Sequence, residues 1–194
     1  MFMTQLDFPG HDILVARIDQ AVGQGNVNAI TDALRSTLCE LIHDDRVQLP
    51  DCVFEAVDGH YARRELYVSK EHGYSVIAMT WGPGQGTPIH DHSGMWCVEG
   101  VWSGELEICQ YELVEQEKER FHFRSAGAMQ AGTGSAGSLI PPHEYHTIRN
   151  PNQDNIAVSL HIYRGCMTCC STFQPVGDDW YQRSSKELGL DKVA

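Results

Sequence analysis

The residues best suited to chemistry lie in two short segments. The first reads Gly84-Gln-Gly-Thr-Pro-Ile-His90-Asp-His92-Ser-Gly-Met-Trp-Cys97-Val-Glu-Gly-Val-Trp-Ser-Gly104. In an extended strand, side chains two residues apart project to the same face, so the imidazoles of His90 and His92 can converge on one ion. The second segment, Pro141-Pro-His143-Glu-Tyr-His146-Thr-Ile-Arg-Asn150, can supply a third imidazole. A lone His-x-His pair is equally well a solvated pair on a strand. A further histidine in another strand-and-turn context shifts the reading to a metal centre.

Such a centre needs a rigid support, and the chain after about Ala62 has the texture of one. Short runs rich in Val, Ile, Tyr and Trp alternate with Gly, Pro, Asn and Ser clusters. This predicts antiparallel strands at 63–68, 75–80, 95–101, 105–111, 121–124, 138–140 and 156–163. The series suggests a sandwich or barrel. Before it, apolar residues at Ile30, Ala33, Leu34, Leu38, Leu41 and Ile42 follow helical spacing, with Asn28 as the expected N-cap. Residues 13–22 form a shorter helical stretch. We therefore expect a single domain over 1–194: a helical cap at 1–50, a β-barrel at 55–175 and a C-terminal tail at 176–194.

The 194 residues suffice for one core without disulfides. Fourteen Lys and Arg against 26 Asp and Glu give a net charge of −12, which argues against a nucleic-acid or anionic-membrane partner. The opening residues lack the basic-then-apolar pattern of a secretory signal, and no apolar run approaches the roughly 20 residues of a membrane span. The seven cysteines, an odd number, are expected as free thiols in a reducing cytoplasm.

The two histidine segments resemble the paired motifs of the cupin superfamily. Gly84, His90, His92 and Gly104 match the first motif, and Pro141, His146 and Asn150 match the second; its leading glycine falls at Ser135. The resemblance makes His146 the third ligand, with His143 outside the ligand set. The position of the usual metal-binding glutamate holds Cys97. That replacement resembles a narrower group, the type I cysteine dioxygenases among the thiol dioxygenases. Ser159-Leu-His161-Ile-Tyr163 is similar to the family's Ser-x-His-x-Tyr array, and Tyr61-Ala-Arg63 to its substrate-binding Tyr-x-Arg. The likeness runs from about Tyr61 to Cys170.

The resemblance implies a cupin barrel holding Fe(2+) on His90, His92 and His146, with L-cysteine and O2 converted to cysteine sulfinate. Three neutral imidazoles leave a divalent iron its full charge and open positions for a thiolate and O2. Arg63 would pair with the substrate carboxylate through its guanidinium fork, or else form a rim salt bridge with Glu65 or Glu71. Relatives that prefer 3-mercaptopropionate resemble Gln at that position, which leans toward cysteine. Tyr163, oriented by His161 and Ser159, would stand over the iron; an ordinary barrel interior with one satisfied histidine is the plainer alternative. In animal members the cysteine matching Cys97 is thioether-linked to this tyrosine, whereas bacterial members mostly carry glycine there. A small buried thiol is the other reading. Tyr61 and Trp81 line the pocket or simply fill the core. Cys166-Met-Thr-Cys169-Cys170 lacks the second pair a zinc site needs. A cupin isomerase, or a non-catalytic metal-binding cupin, is the reading from a different class.

Overall fold

The computed structural model describes residues 6–192. Two helices come first, α1 (His11–Val22) and α2 (Val27–Ile42). Strands follow as β1 (Ala62–Ser69), β2 (Tyr74–Trp81), β3 (Ile89–His90), β4 (Cys97–Ser103), β5 (Glu105–Glu117), β6 (Arg120–Gly132), β7 (Ala136–Leu139), β8 (His146–Arg149), β9 (Ala157–Tyr163), β10 (Cys169–Gly177) and β11 (Trp180–Glu187).

Helix α2 begins earlier than expected. Asn26 and not Asn28 is its cap: Asn26 has extended backbone, and its side-chain oxygen accepts from the Ala29 N–H at 3.0 Å. That bond satisfies one of the orphan donors of the first turn. Both asparagines precede the same apolar stripe, so spacing alone did not separate them. Leu34, Leu38 and Leu41 of this stripe are fully buried.

The strands form two antiparallel sheets. The first has the order β1-β2-β9-β4-β7. The second runs β10-β11-β6-β5-β8-β3 and closes on itself where β3 pairs with β10. The first sheet is covered on both sides. Val76, Ala78, Val98, Leu160 and Ile162 pack with the helices, while Ile77, Met79, Cys97, Val101 and Tyr163 belong to a separate interior cluster. Alternation sends successive residues to these two faces, which is why β2 and β9 are buried at every position. Gly100 permits the close approach of α2. A Cβ there would lie 3.2 Å from Ile42 Cδ1 and 3.3 Å from Leu38 Cδ1.

The architecture is mainly β and jelly-roll-like with two N-terminal helices, as expected. Three expectations about its elements need correction. The segment after 176, read as a tail, contains β11, which pairs with both β10 and β6. Beyond Trp180 and Tyr181 its residues are polar and exposed, so no apolar alternation marks it. β5 and β6 are each 13 residues long, well beyond the predicted spans, because 112–117 of the first and 124–130 of the second are exposed and carry no buried stripe. β3 and β8, with two and four residues, are too short to leave a periodic signal.

Asn150 ties the loops beneath the site together. Its fully buried Nδ2 donates to the carbonyls of Trp81, Gly82 and Asn155, and its Oδ1 accepts from the Asn152 N–H. Asn150→Ala would leave several of these groups unsatisfied, at about 1–3 kcal/mol apiece. Urea denaturation should show a loss of at least that size; a loss below about 0.5 kcal/mol would contradict the role.

Candidate metal centre

The three histidines meet inside the barrel. His90 on β3 pairs across the strand with His146 on β8, and His92 follows two residues after His90. Ring centroids are separated by 4.4 Å for His90–His146, 5.1 Å for His92–His146 and 5.3 Å for His90–His92. One ligand atom from each lies within 4.8 Å of the others. Two of the rings have their tautomer fixed. A backbone carbonyl can only accept, so His90 Nδ1–H donates to Pro88 O at 3.2 Å and His146 Nδ1–H to Glu144 O at 2.8 Å. Both Nε2 atoms then carry lone pairs, the arrangement seen in metal-ligating histidines.

The donor set fits a divalent metal. His146 Nε2 and His92 Nδ1 are buried without a hydrogen-bond partner, a cost that an ion removes. Burial pushes His90 down to about 4, and His92 and His146 well below the ordinary histidine range. All three are therefore neutral ligands at neutral pH.

Beside them, β9 presents Ser159, His161 and Tyr163 on one face, joined by hydrogen bonds. The Trp81 indole, which can only donate, gives its Nε1–H to Ser159 Oγ at 2.9 Å. Ser159 Oγ is also hydrogen-bonded to His161 Nε2 at 2.8 Å, and His161 Nδ1 to the Tyr163 hydroxyl at 3.4 Å. Cys97 is the cross-strand neighbour of Tyr163 in the β4–β9 pairing, with its thiol in hydrogen-bonding reach of the phenol.

Arg63 on β1 lines the same pocket as His90, His161 and Tyr163. Its side chain is buried, donating from its Nη atoms to Gly189 O at 3.0 Å and Met167 O at 3.3 Å, while Nε is buried without a partner. Among the described residues no ion pair joins Arg63 to Glu65 or Glu71, so the rim salt bridge is not formed. Tyr61 stacks on Trp81 at 4.6 Å, at the edge of this pocket. All seven cysteines are free thiols, and Cys166 and Cys169 are exposed. Cys170 lines the pocket, with burial raising its thiol to about 11.

Sequence reasoning missed Glu99. The imidazoles were expected without a carboxyl group nearby, yet Glu99 Oε2 lies 3.8 Å from His146 Nε2 and 3.3 Å from His161 Nδ1. It groups with Cys97 and His161 and not with the three histidines. It makes no hydrogen bond through Oε2. The available signal was the strand period, which puts positions 97 and 99 on one face.

A buried three-histidine site in a jelly-roll barrel defines a metal-binding cupin. The chain belongs to the cysteine dioxygenase type I family, which it matches over residues 19–175. Curated relatives include cysteine dioxygenase type 1 of Danio rerio, 23% identical over 62% of this chain and 59% of that protein. The enzyme of the same name from Rattus norvegicus is 23% identical over 74% of this chain and 78% of its own length. Against the zebrafish relative, then, the chain spans less than two thirds of the protein. Among solved structures, the TT1209 protein of Thermus thermophilus aligns with a TM-score of 0.47 and 17% identity, over 61% of this chain and 96% of that one.

Burial pushes the Glu99 carboxyl up to about 8. In the unfolded chain the same group ionises near 4.5, so between these values the unfolded state binds fewer protons and stability falls as pH rises. Glu99→Gln removes that penalty. In urea unfolding of metal-free protein, the variant should match the wild type near pH 4.5 and exceed it at pH 8 by about 4 kcal/mol. A gap that does not change with pH would contradict the buried, protonated state.

Proposed function

We propose that the protein is an iron(II)-dependent dioxygenase that converts L-cysteine and O2 to cysteine sulfinate. The observation that carries this reading is the cluster of three neutral imidazoles, one of which, His90, lines a pocket with a buried guanidinium and a buried phenol. His90, His92 and His146 would hold iron(II), which would supply the redox chemistry that joins dioxygen to sulfur.

The chain's own residues do the positioning. Arg63 has one buried nitrogen to spare, Nε, and its fixed charge in a dry site suits a carboxylate. With the substrate anchored at that end, its sulfur is directed toward the imidazoles, and the reaction gains from proximity. Tyr163 keeps its proton, because burial and the nearby Cys97 push the phenol well above its usual range. It can therefore donate into the pocket. His161 cannot take that role, since its nitrogens are engaged by Ser159 and Tyr163 and burial lowers it to about 3. Seven free thiols suit a reducing cytoplasm.

Oxygen uptake by iron-loaded protein across a thiol panel tests the reading. Cysteine should give the highest kcat/KM, ahead of 3-mercaptopropionate; no uptake with any thiol would favour an isomerase or a silent metal-binding cupin. Arg63→Gln should lower kcat/KM for cysteine by about 10- to 100-fold and that for cysteamine, which lacks the carboxylate, by less than about threefold. Equal losses would remove the carboxylate role.

The Cys97–Tyr163 contact supports a thioether formed during turnover, with O2 as the oxidant that removes one hydrogen from the thiol and one from the phenol ring. Intact mass after many turnovers should then be two hydrogens lower than the sequence mass, and Cys97→Ala should abolish the deficit. A full mass in active enzyme would exclude the bond.

A further inference from the structure

A second cavity adjoins the site from the opposite side. Its volume is about 70 Å³, and its inner end is formed by Glu99, Ser159 and His161. The rest of the wall is apolar, contributed chiefly by Val101, Leu106, Ile108, Ala131 and Ile148. It opens to solvent beside Met129, which is 56% exposed, and near the exposed Ser135 and Gly137. The mouth on the Arg63 side is different in kind. There a space of about 260 Å³ is lined by His60, Tyr61, Arg63, Lys186, Glu187 and Asp191, a vestibule that carries charges of both signs.

The chamber suits an apolar occupant better than ordered water. A buried water needs two to four polar partners. Ser159 Oγ is already engaged by Trp81 and His161, and both His161 nitrogens are engaged by Ser159 and Tyr163. Only Glu99 has bonding capacity left at the inner end. Apolar cavities of this sort stay dry and accept xenon or small apolar molecules. The chamber also leads to the reaction site, since Ile148 and His161 line both this cavity and the pocket in front of the metal ligands. Glu99 Oε2, in its wall, is 3.8 Å from His146 Nε2.

We propose that this chamber is the approach and holding site for dioxygen, separate from the polar vestibule through which the carboxylated thiol arrives. The proposal rests on the thiol dioxygenase reading. Dioxygen is small, uncharged and apolar, so it partitions into the chamber, whereas a charged thiol substrate is excluded by its desolvation cost. Two separate approaches let each co-substrate arrive without displacing the other.

Crystals of the iron-loaded full-length protein under xenon pressure give a test that does not depend on turnover. Xenon should bind between Val101, Leu106, Ala131 and Ile148. In solution, Ala131→Phe should fill the chamber and raise the KM for O2 by roughly fivefold or more, with the KM for the thiol within about twofold of wild type. Ala131→Val, a smaller change, should give an intermediate rise if the larger variant folds poorly. An empty chamber in an active enzyme, or an unchanged KM for O2 in a folded Ala131→Phe protein, would overturn the route while leaving the dioxygenase reading intact. Xenon in the chamber of a protein that oxidises no thiol would overturn that reading, and the dioxygen assignment with it.

Discussion

Exclusion of water from the barrel interior is the constraint on which the rest of the site depends. Desolvation is the largest influence on every shifted group at the centre: it lowers His90, His92, His146 and His161 and raises Cys97, Glu99 and Tyr163. The effect in each case is to favour the neutral form. The interior is therefore lined with uncharged ligands and donors, and the guanidinium of Arg63 is the fixed charge beside them. A metal cation entering such a cage brings its charge into a medium that screens it poorly, so its pull on an anionic sulfur is strong.

This dryness is a product of the fold. Two helices cover the outer face of the β1-β2-β9-β4-β7 sheet, so its inner face can be committed entirely to the site. Gly100 lets α2 sit close enough for that covering to be continuous. The hydrogen-bonded array comes from the same packing. The indole of Trp81, which fills the core, donates to Ser159, and Ser159 in turn holds His161 beside Tyr163.

Much of the site was legible in the sequence because its chemistry is carried by residue types at strand spacing. His90 and His92, and likewise Ser159, His161 and Tyr163, announce a shared face by alternation alone. His146 and Arg63 lie on other strands; the motif likeness chose His146 over His143 as the third imidazole and connected Arg63 to the site. Glu99 escaped because attention fell on the position that Cys97 occupies, although the same alternation places both inside. The missed elements have a common cause. β3 and β8 are too short to show a period, and β11 beyond Tyr181, 112–117 of β5 and 124–130 of β6 are exposed, so neither hydrophobicity nor alternation records them. Asn26 and Asn28 are equally good caps by composition, and only backbone geometry distinguishes them.

Residues 188–191 lie across the mouth of the barrel. Leu188 N–H donates to Thr168 O, Asp191 Oδ2 accepts from the Arg63 N–H, and Gly189 O accepts from the Arg63 side chain. This stretch is thus part of the doorway and of the anchor for its arginine. Comparisons of specificity among relatives should accordingly weigh differences in this last stretch as changes to the binding site itself.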